Sequence, residues 1–119
     1  MKNPKAKLRR RADRLWYQIG LKEKCELGGE AAVQLHHFFY KSQYGHLRYD
    51  LNNGISLCQR CHFRLHHSDP KLMTDKIIEK RGLKWYNKLK NKAQNRPKPS
   101  YQNIKYYKDI IQQLNENRG

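Results

Sequence analysis

The chain has 119 residues, enough for one hydrophobic core and too few for two. It carries 26 Lys and Arg against 10 Asp and Glu, a net charge of +16 that implies a polyanionic partner, nucleic acid first among them. No run of 18 apolar residues and no apolar segment behind the basic N-terminus exists, which excludes a membrane-spanning or fibrous protein and predicts a cytoplasmic one.

In chain order, Leu8, Ala12, Leu15, Trp16 and Ile19 share one helical face, so the periodicity predicts a helix over residues 5–19 ending near Gly20. The Gly28-Gly29 pair reads as a turn, residues 31–37 as a short strand, and residues 38–53 as a polar, Tyr-rich loop closing on Asp50–Gly54. Ile55-Ser56-Leu57 reads as the return strand and residues 59–67 as a short helix. Ser68-Asp69-Pro70 is a start signal for a helix over 70–81 with Gly82 as its stop, and 83–94 is predicted helical again. Arg96-Pro97-Lys98-Pro99 breaks that helix, and Ser100 is the expected cap of a last one carrying Ile104, Tyr107, Ile111 and Leu114 on one face. The fold class is therefore α+β, a small ββα core flanked by basic helices at both termini. As one domain of residues 1–119, it divides into an N-terminal helix (1–24), the core (25–67), a helical extension (68–95) and a C-terminal helix (96–119).

Chemistry-bearing residues crowd the centre. All six histidines fall between His36 and His67, and all three cysteines between Cys25 and Cys61. An odd cysteine count in a chain with no secretory signal favours metal ligation over a disulfide framework. His62 and His66, four apart, project from one helical face and suit a shared ion. His36 and His37, adjacent at a strand end, point to opposite sides of the pleat, so one is free to ligate a metal while the other faces substrate. Phosphodiester hydrolysis needs this division, a Lewis acid on the phosphate and a base of near-neutral pKa for the water.

The order HH, then Asn53, then Cys58-Gln59-Arg60-Cys61-His62 and a final His66 resembles the HNH endonucleases, the ββα-metal or His-Me finger nucleases, over about residues 25–67. Asn53 sits sixteen residues after His37, nine before His62 and thirteen before His66, in register with that family. HLRYDLNNG and the later KRG are similar to small phage-borne members, the NinG recombination type included. The resemblance implies His37 as general base and Asn53 as the residue that fixes the His37 segment. It implies His36, His62 and His66 as ligands of one divalent cation (Mg²⁺, Mn²⁺, Ni²⁺ or Zn²⁺), with a phosphate contact as the other reading of His66. It further implies a structural zinc on two CxxC pairs, here reduced to Cys25, Cys58 and Cys61 because Gly28 stands at the fourth position. A histidine (His46 or His67), a water or a partner would complete that set; otherwise it stays empty and the thiols pack as small buried residues.

Cys58-Gln59-Arg60-Cys61-His62 is also a haem c attachment string, which the absence of a signal and the cationic surround argue against. Arg48, Arg60 and Arg64 are the candidate phosphate contacts beside the histidines. Lys76, Lys80, Lys84 and Lys88 recur every four residues as duplex-tracking cations, and no base-reading module accompanies them. The predicted function is a metal-dependent DNA endonuclease of low sequence specificity, acting on duplex or branched DNA beside phage packaging or recombination machinery. Two readings stand beside it: a non-catalytic zinc-ribbon-like nucleic-acid-binding protein, and a junction-directed recombination factor.

Overall fold

Asn3 opens the first helix by accepting the backbone N–H groups of Lys5 and Ala6 on its side-chain oxygen, with Pro4 at the first helical position. This helix, α1 (Pro4–Gly20), buries Ala12, Leu15 and Trp16. The computed structural model describes residues 3–117, so Met1, Lys2, Arg118 and Gly119, and the charge that Lys2 adds to the basic N-terminus, lie outside the described residues.

Two strands follow, β1 (Gln34–His37) and β2 (Gly54–Leu57), paired antiparallel so that Leu35 faces Ser56, His36 faces Ile55 and His37 faces Gly54. The strand expected over 31–37 is shorter because its first part belongs to the Cys25 knuckle: Ala31 bridges Lys24 and Ala32 N–H donates to the Glu23 carbonyl. Gly54 is glycine for a steric reason. A Cβ there would stand 3.0 Å from both Leu35 Cδ1 and Trp16 Cζ2, so a side chain would oblige both to give by a few tenths of an ångström.

Beyond β2, Cys58 caps α2 (Gln59–Phe63), its sulfur accepting the Cys61 N–H. The predicted 59–67 helix is not uniform: it widens into a π turn over Arg64–Ser68, closed by Asp69 N–H donating to the Arg64 carbonyl at 2.8 Å. Helices α3 (Pro70–Arg81) and α4 (Leu83–Gln94) fall where the start and stop signals put them, joined by Gly82 at φ 98°. Asp69 occupies the cap position of α3, but its carboxylate takes Arg64 and Ser68 rather than the helix N–H groups. The last helix, α5 (Ile104–Glu116), is capped by Asn103 and not by Ser100, which Pro99 draws into a 3₁₀ turn over Pro99–Tyr101.

Three apolar clusters hold these elements together. Trp16 and Leu15 of α1 meet Tyr107, Ile111 and Leu114 of α5 around Leu35 and Tyr49. Ile55, Leu57, Leu65, Met73 and Ile77 pack with the three cysteines. Leu47, Leu89 and Ala93 join the long loop to α4. A buried polar hub ties the second cluster to β2. Glu26 takes two 2.7 Å bonds from Arg81 and one from the Ser56 N–H, while Arg81 also donates to the Gly54 carbonyl. Burial pushes the Glu26 carboxyl up, and the Arg81 and Ser56 bonds outweigh it, holding the group below the usual carboxylate range. Among the described residues no helix is long and apolar enough to cross a membrane.

Candidate active site

The pleat separates His36 from His37, as their adjacency predicts. His36 is buried against α2 and the π turn, its ring 6.0 Å from that of His62 and 5.1 Å from that of His66. One nitrogen from each of these three rings lies within 4.8 Å of the others. Burial, followed by the neighbouring charges of His66, His62 and His37, pushes His36 down to about 3, and burial likewise lowers His62. Neutral imidazoles at this spacing are the donor set a divalent cation requires, and the residues present fit one.

His37 turns the other way, toward α1. Its ring stacks on the Trp16 indole, with centroids 4.0 Å apart and planes 11° from parallel. Its Nε2 lies 3.0 Å from the Arg48 carbonyl oxygen. A carbonyl only accepts, so in the neutral ring Nε2 carries the proton and Nδ1 keeps the lone pair. Burial lowers the His37 pKa, with help from the Lys41 and Arg48 charges against the Arg48 carbonyl bond, which favours this neutral form. His36, His37, His62 and His66 all line one open cleft of about 460 Å³, walled by Trp16, Tyr17, Tyr40 and Lys41.

Asn53 is fully buried at the far end of the loop that leaves β1. Its side-chain oxygen accepts the Phe39 N–H at 2.8 Å, and its amide donates to the carbonyls of Phe39 and Leu47. Its own carbonyl takes the Phe38 N–H, the residue directly after His37. These four bonds pin both sides of the loop whose Arg48 carbonyl holds the His37 ring.

The HNH endonuclease family model matches residues 23–68. The chain contains an HNH endonuclease domain. No curated protein and no solved structure matches the chain. The matched segment spans β1, β2, α2 and the π turn, hence all four histidines of the cleft, Asn53 and the three cysteines.

Within the HNH domain, the sulfurs of Cys25, Cys58 and Cys61 form a second buried group, all within 4.8 Å of one another and free of disulfides. Burial pushes the Cys25 thiol up, but backbone N–H groups of Cys58, Leu27 and Gly28 outweigh it and hold it below the usual thiol value. Burial and the two neighbouring sulfurs push Cys61 up to about 12. The set is compatible with zinc. Neither loose candidate for a fourth ligand joins it: His46 bonds to the carbonyls of Lys92 and Ala93, and His67 packs on Phe63. Gly28 faces the sulfurs, its absent Cβ 3.7 Å from Cys61 Sγ and 3.9 Å from Cys25 Sγ.

The arginines are placed differently from one another. Arg48 gives Nε and one Nη to Asp13 at 2.8 Å each, and Arg64 gives Nε to Asp69 at 3.2 Å. Each of these two arginines therefore shares its charge with a carboxylate. Arg60 is exposed and makes no ion pair among the described residues. Lys41, a cation on the cleft wall itself, was not singled out by sequence spacing; it lies in an irregular loop, where no periodicity reports which way a side chain faces. Asp13 and Trp16 were likewise missed as site residues, since nothing in a helical pattern tells core packing from packing against an imidazole.

Proposed function

We propose that the HNH domain makes this chain a metal-dependent DNA endonuclease, with His37 as general base and His36, His62 and His66 holding one divalent cation. The observation that carries the reading is the pairing of a three-imidazole cluster with a fourth histidine, differently held, on the wall of the same cleft. When bound, the cation supplies Lewis-acid neutralisation of charge on the scissile phosphate. The residues of the chain do the rest. His37 Nδ1 takes a proton from the attacking water, whose oxygen forms the new bond to phosphorus. The bond from phosphorus to the 3′-oxygen breaks, and that oxygen leaves and is protonated from solvent, giving a 5′-phosphate and a 3′-hydroxyl. Asn53 keeps the loop in place while Trp16 and the Arg48 carbonyl hold the base.

Affinity rests on cations: the net charge of +16, Lys41 in the cleft and the exposed Arg60 of α2 support phosphate-dominated binding of low sequence specificity. A phage setting beside recombination or packaging machinery is supported by the HLRYDLNNG and KRG segments alone. The Cys25, Cys58 and Cys61 group is proposed as a structural zinc site short of one protein ligand. The deciding test is incubation of supercoiled plasmid with the protein, with and without Mg²⁺ or Mn²⁺, beside His37→Ala. Metal-dependent nicking that the variant lacks is expected; cleavage of equal rate in both would overturn the assignment.

A further inference from the structure

The base of the proposed reaction is held by a helix that the family match does not include. The HNH segment runs over residues 23–68, whereas Asp13 and Trp16 belong to α1 (Pro4–Gly20). We propose that α1 completes the active site, with Trp16 and Asp13 acting as positioning residues for His37.

The geometry shows why one hydrogen bond would not suffice. The bond from His37 Nε2 to the Arg48 carbonyl fixes the direction of one ring edge but leaves the imidazole free to swing about the N···O axis. The Trp16 indole lies flat on the ring face at a centroid distance of 4.0 Å and blocks that swing. Together the two contacts fix both the plane of the ring and its orientation within the plane, and so the direction of Nδ1. Trp16 cannot drift, because its own Nε1 donates to the Asp50 carbonyl at 3.0 Å and its ring is buried in the cluster shared with α5.

Asp13, one turn earlier on α1, secures the other contact. Its carboxylate takes the Arg48 guanidinium at two points, both 2.8 Å, which anchors to α1 the residue whose carbonyl accepts the His37 Nε2–H hydrogen bond. Both constraints on the base thus run back to one helix, docked in turn by Tyr107, Ile111 and Leu114 of α5. A role in metal holding is not required of α1: the three-imidazole cluster faces α2 and the π turn on the opposite side of the pleat.

This rests on His37 being the base, and the test separates the two. Nicking of supercoiled plasmid in Mg²⁺ is followed under single-turnover conditions for wild type, Trp16→Leu, Trp16→Phe, Asp13→Asn and His37→Ala. The His37 ring resonances of wild type and of the Trp16 and Asp13 variants are recorded by NMR, and the melting temperature of every protein is measured. Trp16→Leu keeps apolar bulk but loses the flat face, and Asp13→Asn alters a half-exposed position, so a folded variant is available even where Trp16→Leu fails to fold. The expected result is a turnover rate lowered by about 10- to 100-fold in Trp16→Leu and Asp13→Asn with half-saturating DNA unchanged. Trp16→Phe should recover most of the rate, and the ring-current shift of the His37 protons should vanish only in Trp16→Leu. Wild-type turnover in Asp13→Asn and in whichever Trp16 variants fold, or a Phe variant as slow as a folded Leu variant, would overturn the positioning role. His37→Ala cleaving like wild type, with the ring shifts in place, would instead overturn the base and leave the α1 contact as packing alone.

Discussion

His37 Nε2 and the Arg48 carbonyl oxygen stand 3.0 Å apart, and this pairing leaves Nδ1 as the basic nitrogen of the ring. Because His37 holds no place in the three-imidazole cluster, its removal should spare the fold, DNA binding and metal uptake. His37→Ala is expected to lower plasmid nicking by about 10²–10⁴-fold while its shift of labelled duplex in a gel stays at the wild-type level. A variant cleaving within a few fold of wild type would remove His37 from proton transfer.

Three imidazoles make a softer site than the oxygen cages that Mg²⁺ favours. Activity should therefore be supported permissively by Mg²⁺, Mn²⁺ and Ni²⁺, with affinity rising toward the later transition metals and Zn²⁺ bound tightly. Plasmid assays across a metal series after exhaustive chelation would check this, and undiminished cleavage in excess chelator would rule out metal dependence.

Asn53→Ala should be costly twice over. It deprives the part-buried Phe39 N–H and Phe39 carbonyl of partners, at about 1–3 kcal/mol for each group left unsatisfied, and leaves the Leu47 carbonyl with the Asp50 N–H alone. It also frees the loop that carries the Arg48 carbonyl. Urea unfolding should show the lost stability, and nicking measured well below the transition should still be slower than wild type. Asn53→Asp, which keeps the acceptor for Phe39 N–H but sets a buried carboxylate against the Phe39 and Leu47 carbonyl oxygens, should be at least as costly as Asn53→Ala.

Gly28→Cys would complete a four-sulfur set. The position faces Cys61 Sγ and Cys25 Sγ at 3.7 and 3.9 Å from its ideal Cβ, and its φ is not among the positive ones. A metal bound only by the folded chain adds its binding free energy to stability. The melting temperature of the variant should rise with zinc by more than that of wild type and fall back with chelator. No response to zinc in either protein would make the thiols ordinary core residues.

The Glu26–Arg81 pair joins the Cys25 knuckle to α3 and β2 with side chains only 11% and 17% exposed. Deleting one partner strands the other charge, so Glu26→Ala should cost about 3–5 kcal/mol, read as a lower urea midpoint.

Much of this was legible in the residue order because it depends on short-range rules. Period 3.6 placed α1 and the apolar face of α5, and the Pro70 start and Gly82 stop of α3 held to the residue. Adjacent histidines on a strand must face apart, and His62 and His66 must face together, so spacing separated the two members of the His36-His37 pair, while which of them joins His62 and His66 came from the family resemblance. Ser100 lost the cap of α5 to Asn103 because Pro99 starts a tight turn of its own, a competition between two local signals that composition does not rank. The π turn at Arg64–Ser68 was hidden for a related reason, since its sequence is as helical as that of α2.

What the sequence by itself determined is the chemistry: which residue types are present, at which spacing, on which face of which element. What only the tertiary structure decided is how those elements lean on one another. Nothing between residues 13 and 48 in the chain announces that Asp13 clamps Arg48, or that Trp16 lies on His37 rather than merely in the core. Such contacts depend on the packing of α1 against α5, some 90 residues apart in the chain, and the side-chain periodicity that builds each helix carries no record of its partner.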